Sequence, residues 1–211
     1  MTHASSAPPS PADRVTLDGH IAGVGTQEGT RFVVGRWLSS PLGAFADVMV
    51  ERADGTRVLL APSDDVAALV TRLYTFDAVH VVDVRVAADR AARTWTVEAG
   101  PLDARIEIGP RTPIGHLLHG LPRAVTRAGA TAGVVAAVAG VVLPGVRTRG
   151  TGDDGTPERY AAHDQHAVVG VDARWGDRLL GALRPVEPAV RFGFSSVPAQ
   201  PAVTAVHVVI G

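Results

Sequence analysis

The sequence predicts an α+β domain, predominantly antiparallel β: a curled sheet, barrel or sandwich with three or four helices at one end. Two observations favour this class. Hydrophobic and polar residues alternate in about nine short segments, as in half-buried strands. Turn residues join neighbouring segments directly, which is typical of hairpins and not of βαβ units. At 211 residues the chain is long enough for one filled core and short for two.

The first part of this domain is predicted to consist of β-hairpins. Segments 21–26 and 31–37 flank the turn residues 27–30. Segment 46–52 alternates, turns at Asp54-Gly55 and returns through Val58 and Leu60.

A helix is predicted from 64 to about 75, followed by a three-stranded meander from 78 to 109. Ser63 is a suitable N-cap, and Asp64-Asp65 place acidic charge in the first turn. In the meander, Leu102, Ala104, Ile106 and Ile108 alternate with charged residues, which indicates one wet face.

A second helical region opens at Thr112-Pro113, breaks at Pro122 and continues in one or two pieces toward residue 143. A surface loop is predicted at 150–157. Strands follow at 166–175, where residues 167, 169, 171, 173 and 175 are expected to face inward, at 190–194 and at 202–210. Residues 1–13 are expected to be a disordered tail before a single domain at 14–211.

Composition excludes several chemistries. The chain has no cysteine, no lysine and no asparagine. Without lysine there is no Schiff-base nucleophile, pyridoxal-phosphate anchor or P-loop lysine. Without cysteine there is no thiolate nucleophile, disulfide or iron–sulfur cluster. The net charge of −1 favours neither nucleic acid nor an anionic membrane.

The longest apolar run, 128–146, is rich in alanine, glycine and valine and contains Pro144. Because alanine and glycine contribute little transfer free energy, we expect a buried helix and no integral membrane association. The amino terminus lacks the pattern of a secretory signal. A cytoplasmic location is therefore expected.

Three segments resemble parts of an uncharacterised protein family of high-GC bacteria that has no established activity. They are 35–43, the hairpin through Ala61-Pro62, and 143–150. The resemblance implies no catalytic residue and favours only a complete, stand-alone protein.

The junction from 160 to 166 is the best candidate catalytic region. It holds Tyr160, His163, Asp164 and His166. An aspartate can orient an imidazole as general base, and a tyrosine hydroxyl can donate to a developing oxyanion. A hydrated turn is the simpler alternative.

A zinc site is conceivable but not expected. His116 and His119 lie three apart on a helix, and His163 and His166 repeat the spacing. The pattern lacks the glutamate of HExxH. We therefore predict no metal and no cofactor. His80 is interpreted as a core histidine.

Arginines provide candidate anion-binding residues. No acidic residue occurs between Glu107 and Asp153, which leaves Arg147 and Arg149 locally unopposed. Arg36 and its neighbour Trp37 are further candidates, because Arg36 would be buried if the face of Phe32 and Val34 points inward.

Three functions remain open. The first is binding of a small, apolar and anionic molecule inside a β-barrel-like protein. The second is a metal-independent acid–base enzyme, such as an isomerase, cyclase or hydrolase, that uses the 160–166 junction. The third is an interaction or membrane-peripheral protein that uses 123–149. Oligomeric state, ligand and pathway are not indicated.

Overall fold

The computed structural model describes residues 14–120, 149–151, 157–193 and 197–211, with backbone alone at 149–151 and 157–159. In chain order the elements are β1 (Val15–Thr26), β2 (Arg31–Ser39), β3 (Phe45–Glu51), β4 (Arg57–Ala61), α1 (Asp64–Leu73), β5 (Ala78–Val81), β6 (Val84–Asp89), β7 (Thr94–Ala99), β8 (Leu102–Arg111), α2 (Pro113–His119), β9 (Arg149–Thr151), β10 (Pro157–Trp175), β11 (Arg178–Leu179), β12 (Leu183–Arg184) and β13 (Ala202–Ile210).

Ten of the described strands form one curled, mostly antiparallel sheet in the order β5-β4-β3-β2-β1-β13-β10-β8-β7-β6, and the short strands β9 and β11 pair with β10 and β12 with β1. Only the β4–β5 pair is parallel among the described pairings. The two end strands, β5 and β6, are consecutive in the chain and separated by Val82 and Asp83 alone. The sheet therefore curls until its ends come together, and the predicted antiparallel β class is confirmed.

The concave face encloses the main apolar core. It contains side chains from both halves of the sheet, among them Phe32, Leu60, Val97, Leu102 and Ile106. Burying a side chain of this size contributes roughly 1.5–3 kcal/mol, so this face accounts for much of the stability.

The convex face is covered by α1 and by the segment that follows β12. Ser63 caps α1 as predicted, since its hydroxyl accepts from the amide of Val66. Leu69 and Leu73 of α1 pack on β1 and β13, while Val190 and Phe192 pack on Val33 of β2.

A buried carboxylate fixes the second covering segment to the sheet. Glu51 is 0% exposed and lies 3.0 Å from Nη2 of Arg31 and 2.9 Å from Nε of Arg191. Its other oxygen accepts from the Arg191 amide at 2.7 Å, and Arg31 also donates to the carbonyl of Pro188 at 2.6 Å. We call Glu51, Arg31 and Arg191 the clasp.

The helix count is a correction. The described residues contain two helices, so three or four helices are not supported. The prediction for α2 is confirmed, with Thr112 as its N-cap and Pro113 in its first turn. The further helices predicted toward residue 143 lie outside the described residues, as do the tail at 1–13 and the apolar run at 128–146. No helix in the described ranges is long and apolar enough to cross a membrane.

Three strand predictions are also corrected. Residues 190–193 form no strand, although Phe192 is buried as expected. His80 is exposed on the end strand β5 and is not a core residue. Ala167 and Val169 do not face the core, because the pairing of β10 with β8 is irregular between His166 and Gly170. Val168 is buried instead and Val169 is 57% exposed.

Candidate functional site

One row of paired residues crosses the concave face at the end of its apolar core. Arg36 of β2 pairs with His20 of β1, His20 pairs with Ala205 of β13, and Ala205 pairs with Asp164 of β10. Directly paired residues in antiparallel strands point to the same face. The row therefore presents Arg36, His20, Ala205 and Asp164, in this order, on the concave face.

Asp164 reaches this face because β10 contains a bulge. The pairing with β13 shifts between Ala162 and Asp164, which leaves His163 as the extra residue. An extra residue reverses the alternation beyond it. Tyr160 and Ala162 therefore pack on the convex face, whereas Asp164 and His166 point to the concave face.

The row borders a cleft of about 400 Å³. Its floor is apolar and includes Val203, Ala205, Ile108 and Trp95. Polar side chains from four strands and one hairpin loop surround this floor: His20, Arg36, Asp89, Arg90, Arg93, Asp164 and His166.

Asp164 is held by Arg111 in a two-point contact. Nε and Nη2 of Arg111 donate to the two carboxylate oxygens at 2.8 and 2.9 Å, and the Gln165 amide donates to Oδ1 at 2.8 Å. The Arg111 guanidinium holds the pKa of Asp164 below its usual value. Asp164 is therefore an ionised carboxylate whose charge is already compensated.

His119 and His166 approach the same carboxylate. Nδ1 of His119 lies 3.6 Å and Nε2 of His166 lies 3.9 Å from Oδ2 of Asp164. No cluster of three or more His, Asp or Glu suited to a metal is found within the described ranges. The Arg111 guanidinium occupies the place where a cation would meet this carboxylate.

The ring of His166 is oriented by the backbone. Its Nδ1 lies 3.3 Å from the carbonyl oxygen of Gly109. Because a carbonyl can only accept, Nδ1 carries the proton and Nε2 is the acceptor in the neutral ring. This is the arrangement of a histidine whose second nitrogen is free to exchange a proton with a ligand.

His20 has a buried nitrogen without a partner. Its Nδ1 forms no hydrogen bond in the part of the chain that the structure describes, and its ring meets Trp95 edge to face, with centroids 6.1 Å apart. Burial lowers the pKa of His20, and the charges of Arg36, His163 and Arg90 lower it further against the opposing effect of Asp164. His20 is therefore neutral at pH 7.

Arg36 is partly buried and forms no ion pair or hydrogen bond with any described residue. Of the other two cleft arginines, Arg90 is exposed and Arg93 donates to the carbonyls of Ile108 and Gly109. An unpaired guanidinium beside an apolar floor is suited to a carboxylate or phosphate.

Arg36 and Trp37, both candidates from the sequence, point to opposite faces. Trp37 is buried on the convex face, where its indole donates to Asp47 at 2.8 Å. Gly35 makes room for this contact, since a Cβ there would lie 2.3 Å from the Asp47 carboxylate. Burial raises the pKa of Asp47 to about 7, although the Trp37 hydrogen bond opposes the rise.

The predicted junction is therefore divided. Asp164 and His166 share the cleft, while the Tyr160 hydroxyl bonds to that of Tyr74 on the opposite face. His163 lies at the bulge and does not line the cleft. His116 is exposed on α2. The side chains of Arg147 and Arg149 are outside the described residues.

The sequence did not indicate His20, Trp95 or Arg111 as site residues. His20 reaches the cleft through its pairing with β13, and Arg111 reaches Asp164 from 53 positions away. The alternation of Trp95 with Val97 indicated burial but not a site.

The fold and site thus define a curled antiparallel sheet with a polar-rimmed cleft at one end of its concave face. No family model and no curated protein matches the sequence. A solved Nitrosomonas europaea structure, of a protein provisionally named AttH, is 11% identical with a TM-score of 0.25, and the match covers 97% of this chain and 57% of that one. The chain thus spans little more than half of that protein, and a likeness of this size carries no argument.

Proposed function

We propose that the protein binds a small amphipathic anion in the cleft on the concave face. The observation that carries the proposal is the Arg36–His20 pair: an unpaired, partly buried guanidinium beside an imidazole whose buried Nδ1 has no partner in the described structure. A buried polar group without a partner is costly and calls for an explanation, and a polar ligand group beside Arg36 and His20 would supply one. The adjacent floor of Ala205, Val203 and Trp95 suits an apolar body.

The local charge supports an anion. Arg36, Arg90 and Arg93 line the cleft with Asp89 and Asp164. The charge of Asp164 is compensated by Arg111, and Asp89 accepts from the amide of Ala92 in its own turn. The cleft therefore has an excess of positive charge, although the whole chain has a net charge of −1.

Calorimetric titration with 3-phenylpropanoate at pH 8 tests the proposal. We expect saturable binding that Arg36→Met weakens by roughly 10- to 100-fold, as for loss of a charge-assisted hydrogen bond. Arg105→Met is the matched control, because Arg105 is exposed on the outward face of β8. Binding by Arg36→Met as tight as by the native protein would refute the proposed site.

The orientation of His166 favours a second candidate, a metal-independent acid–base enzyme. With Nδ1 bonded to the Gly109 carbonyl, Nε2 is directed to the cleft and is able to take a proton from a bound molecule. Deuterium exchange at the carbon next to the carbonyl of phenylpyruvate, followed by NMR, is expected to be faster than the buffer rate and to be lost in His166→Phe. Exchange at the buffer rate would remove this candidate for carbonyl substrates.

A cytoplasmic location and the absence of nucleic-acid binding remain part of the proposal. Fractionation of the native host and a filter-binding assay with duplex DNA at low salt, where electrostatic binding is strongest, would test the two.

A further inference from the structure

The end of the cleft opposite Arg36 offers hydrogen-bond acceptors to a ligand. In the neutral ring of His166, Nε2 is a lone-pair acceptor because Nδ1 donates to Gly109. Nε2 forms no hydrogen bond with a described residue, and the Asp164 oxygen Oδ2, 3.9 Å away, is also an acceptor. Arg111 donates to the carboxylate at this end and not to the imidazole. A group that donates a hydrogen bond is therefore missing beside Nε2.

At the other end, the Arg36 guanidinium offers only donors. The Arg36 guanidinium has five N–H groups and no acceptor, and none of them is used by a described residue. The row from Arg36 to Asp164 crosses three strand intervals, or about 14 Å between backbones. After the two terminal side chains have taken part of this span, the remaining room over Ala205 and Val203 fits one ring or a short chain.

We infer, resting on the proposed function, that the ligand is a hydroxy acid: a carboxylate at Arg36, an apolar body over Ala205 and against Trp95, and a hydroxyl that donates to Nε2 of His166. Arg36 needs an acceptor on the ligand and Nε2 of His166 needs a donor. The ligand can therefore bind in one orientation only. A simple fatty acid or aromatic acid satisfies one end alone.

Three probes of the same shape test this: 3-phenylpropanoate, its 4-hydroxy analogue and its 4-methoxy analogue, titrated at pH 8. The native protein is expected to bind the hydroxy acid roughly 3- to 10-fold more tightly than the unsubstituted acid, which is the net value of one hydrogen bond. The methoxy acid cannot donate and should show no such gain.

Variants locate the preference. In His166→Phe the affinity ratio of hydroxy to unsubstituted acid should fall to about one, and His166→Gln, which keeps an acceptor, should restore part of it. Arg36→Met should weaken both acids while keeping their ratio. His116→Phe, on the exposed face of α2, is the control that keeps the native ratio.

The outcomes separate the inference from the proposed function. Arg36-dependent binding of all three acids without a hydroxyl preference, or a preference that persists in His166→Phe, overturns the inference and leaves the anion site standing. Failure of all three acids to bind overturns both.

Discussion

The clasp on the convex face and the cleft on the concave face treat buried polar groups in opposite ways. In the clasp, Glu51 accepts from two arginines and a backbone amide, and the buried Nε of Arg31 lacks a partner among the described residues. In the cleft, Arg36 and Nδ1 of His20 lie side by side with no described partner. The paired groups of the clasp hold the covering segment in place, whereas the groups of the cleft belong to the ligand-binding surface that we propose.

Loss of charge in the clasp should have the largest effect on stability. Glu51→Gln leaves the buried guanidinium of Arg31 without its counter-charge, so we expect a loss of about 3–5 kcal/mol in the free energy of unfolding, measured with urea. Glu28→Gln is the control, because Glu28 pairs with Arg178 at the exposed surface and should cost about 1 kcal/mol or less. Equal losses would show that the clasp is not special.

Asp47 should make stability depend on pH. Its pKa is raised to about 7 in the folded state, so the folded protein binds more protons than the unfolded chain between about pH 4 and 7. Stability should therefore fall as pH rises through this window, by at most about 4 kcal/mol for a shift of about three units. Asp47→Asn, which still accepts from Trp37, should abolish this fall when unfolding is followed from pH 4 to 8, and should leave the opposite, rising contribution of His20, whose pKa is lowered on folding.

Below this window the trend should reverse. The pKa of Asp77 is lowered to about 2, chiefly by hydrogen bonds from Arg57, and that of Asp164 is lowered by Arg111. Their stabilisation is lost as pH falls through the lowered values, in the native protein and in Asp47→Asn alike. A fall in stability between pH 4 and 7 that survives the Asp47 substitution would assign the fall to another group.

His20 should show the reverse sign. Phenylalanine keeps an aromatic ring against Trp95 and removes the buried nitrogen that has no partner. We therefore expect His20→Phe to raise the free energy of unfolding by about 1 kcal/mol. A loss of stability would mean that this nitrogen is satisfied in solution, and that the contrast between cleft and clasp is weaker than described.

Arg36 should have the smallest effect on stability. It has no described partner to lose, so Arg36→Met should change the free energy of unfolding by no more than about 0.5 kcal/mol. The same protein should lose affinity for 3-phenylpropanoate, which separates a binding role from a structural one. A large loss of stability would instead show that Arg36 has a structural role, as the clasp arginines do.

Local patterns in the sequence predicted most of the fold. The Asp54-Gly55 turn, the Ser63 and Thr112 caps and the alternation at 102–108 each depend on neighbouring residues, so they could be found without the structure. The segment 190–193 could not, because its buried Phe192 packs on β2 without forming a strand. The spacing of its apolar residues would be the same in a strand and in the irregular segment that the structure shows.

The site could be predicted only in part for a related reason. Asp164 and His166 could be placed together because they are close in sequence, and both line the cleft. Tyr160 was grouped with them wrongly, because a bulge at His163 carries no glycine or proline signal and reverses which face each residue occupies. His20 and Arg111 depend on long-range pairing, which a single sequence does not specify.

The position of β13 has a consequence for folding kinetics. This strand follows all the others in the chain, yet it lies between β1 and β10 at the centre of the sheet. Its pairing with Val15–Thr26 joins residues nearly 200 positions apart, so the protein has high contact order and should fold in milliseconds to seconds or more slowly. Ala205, the floor of the cleft, arrives on this strand. During synthesis the cleft therefore forms only after β13 has left the ribosome and has paired with both β1 and β10.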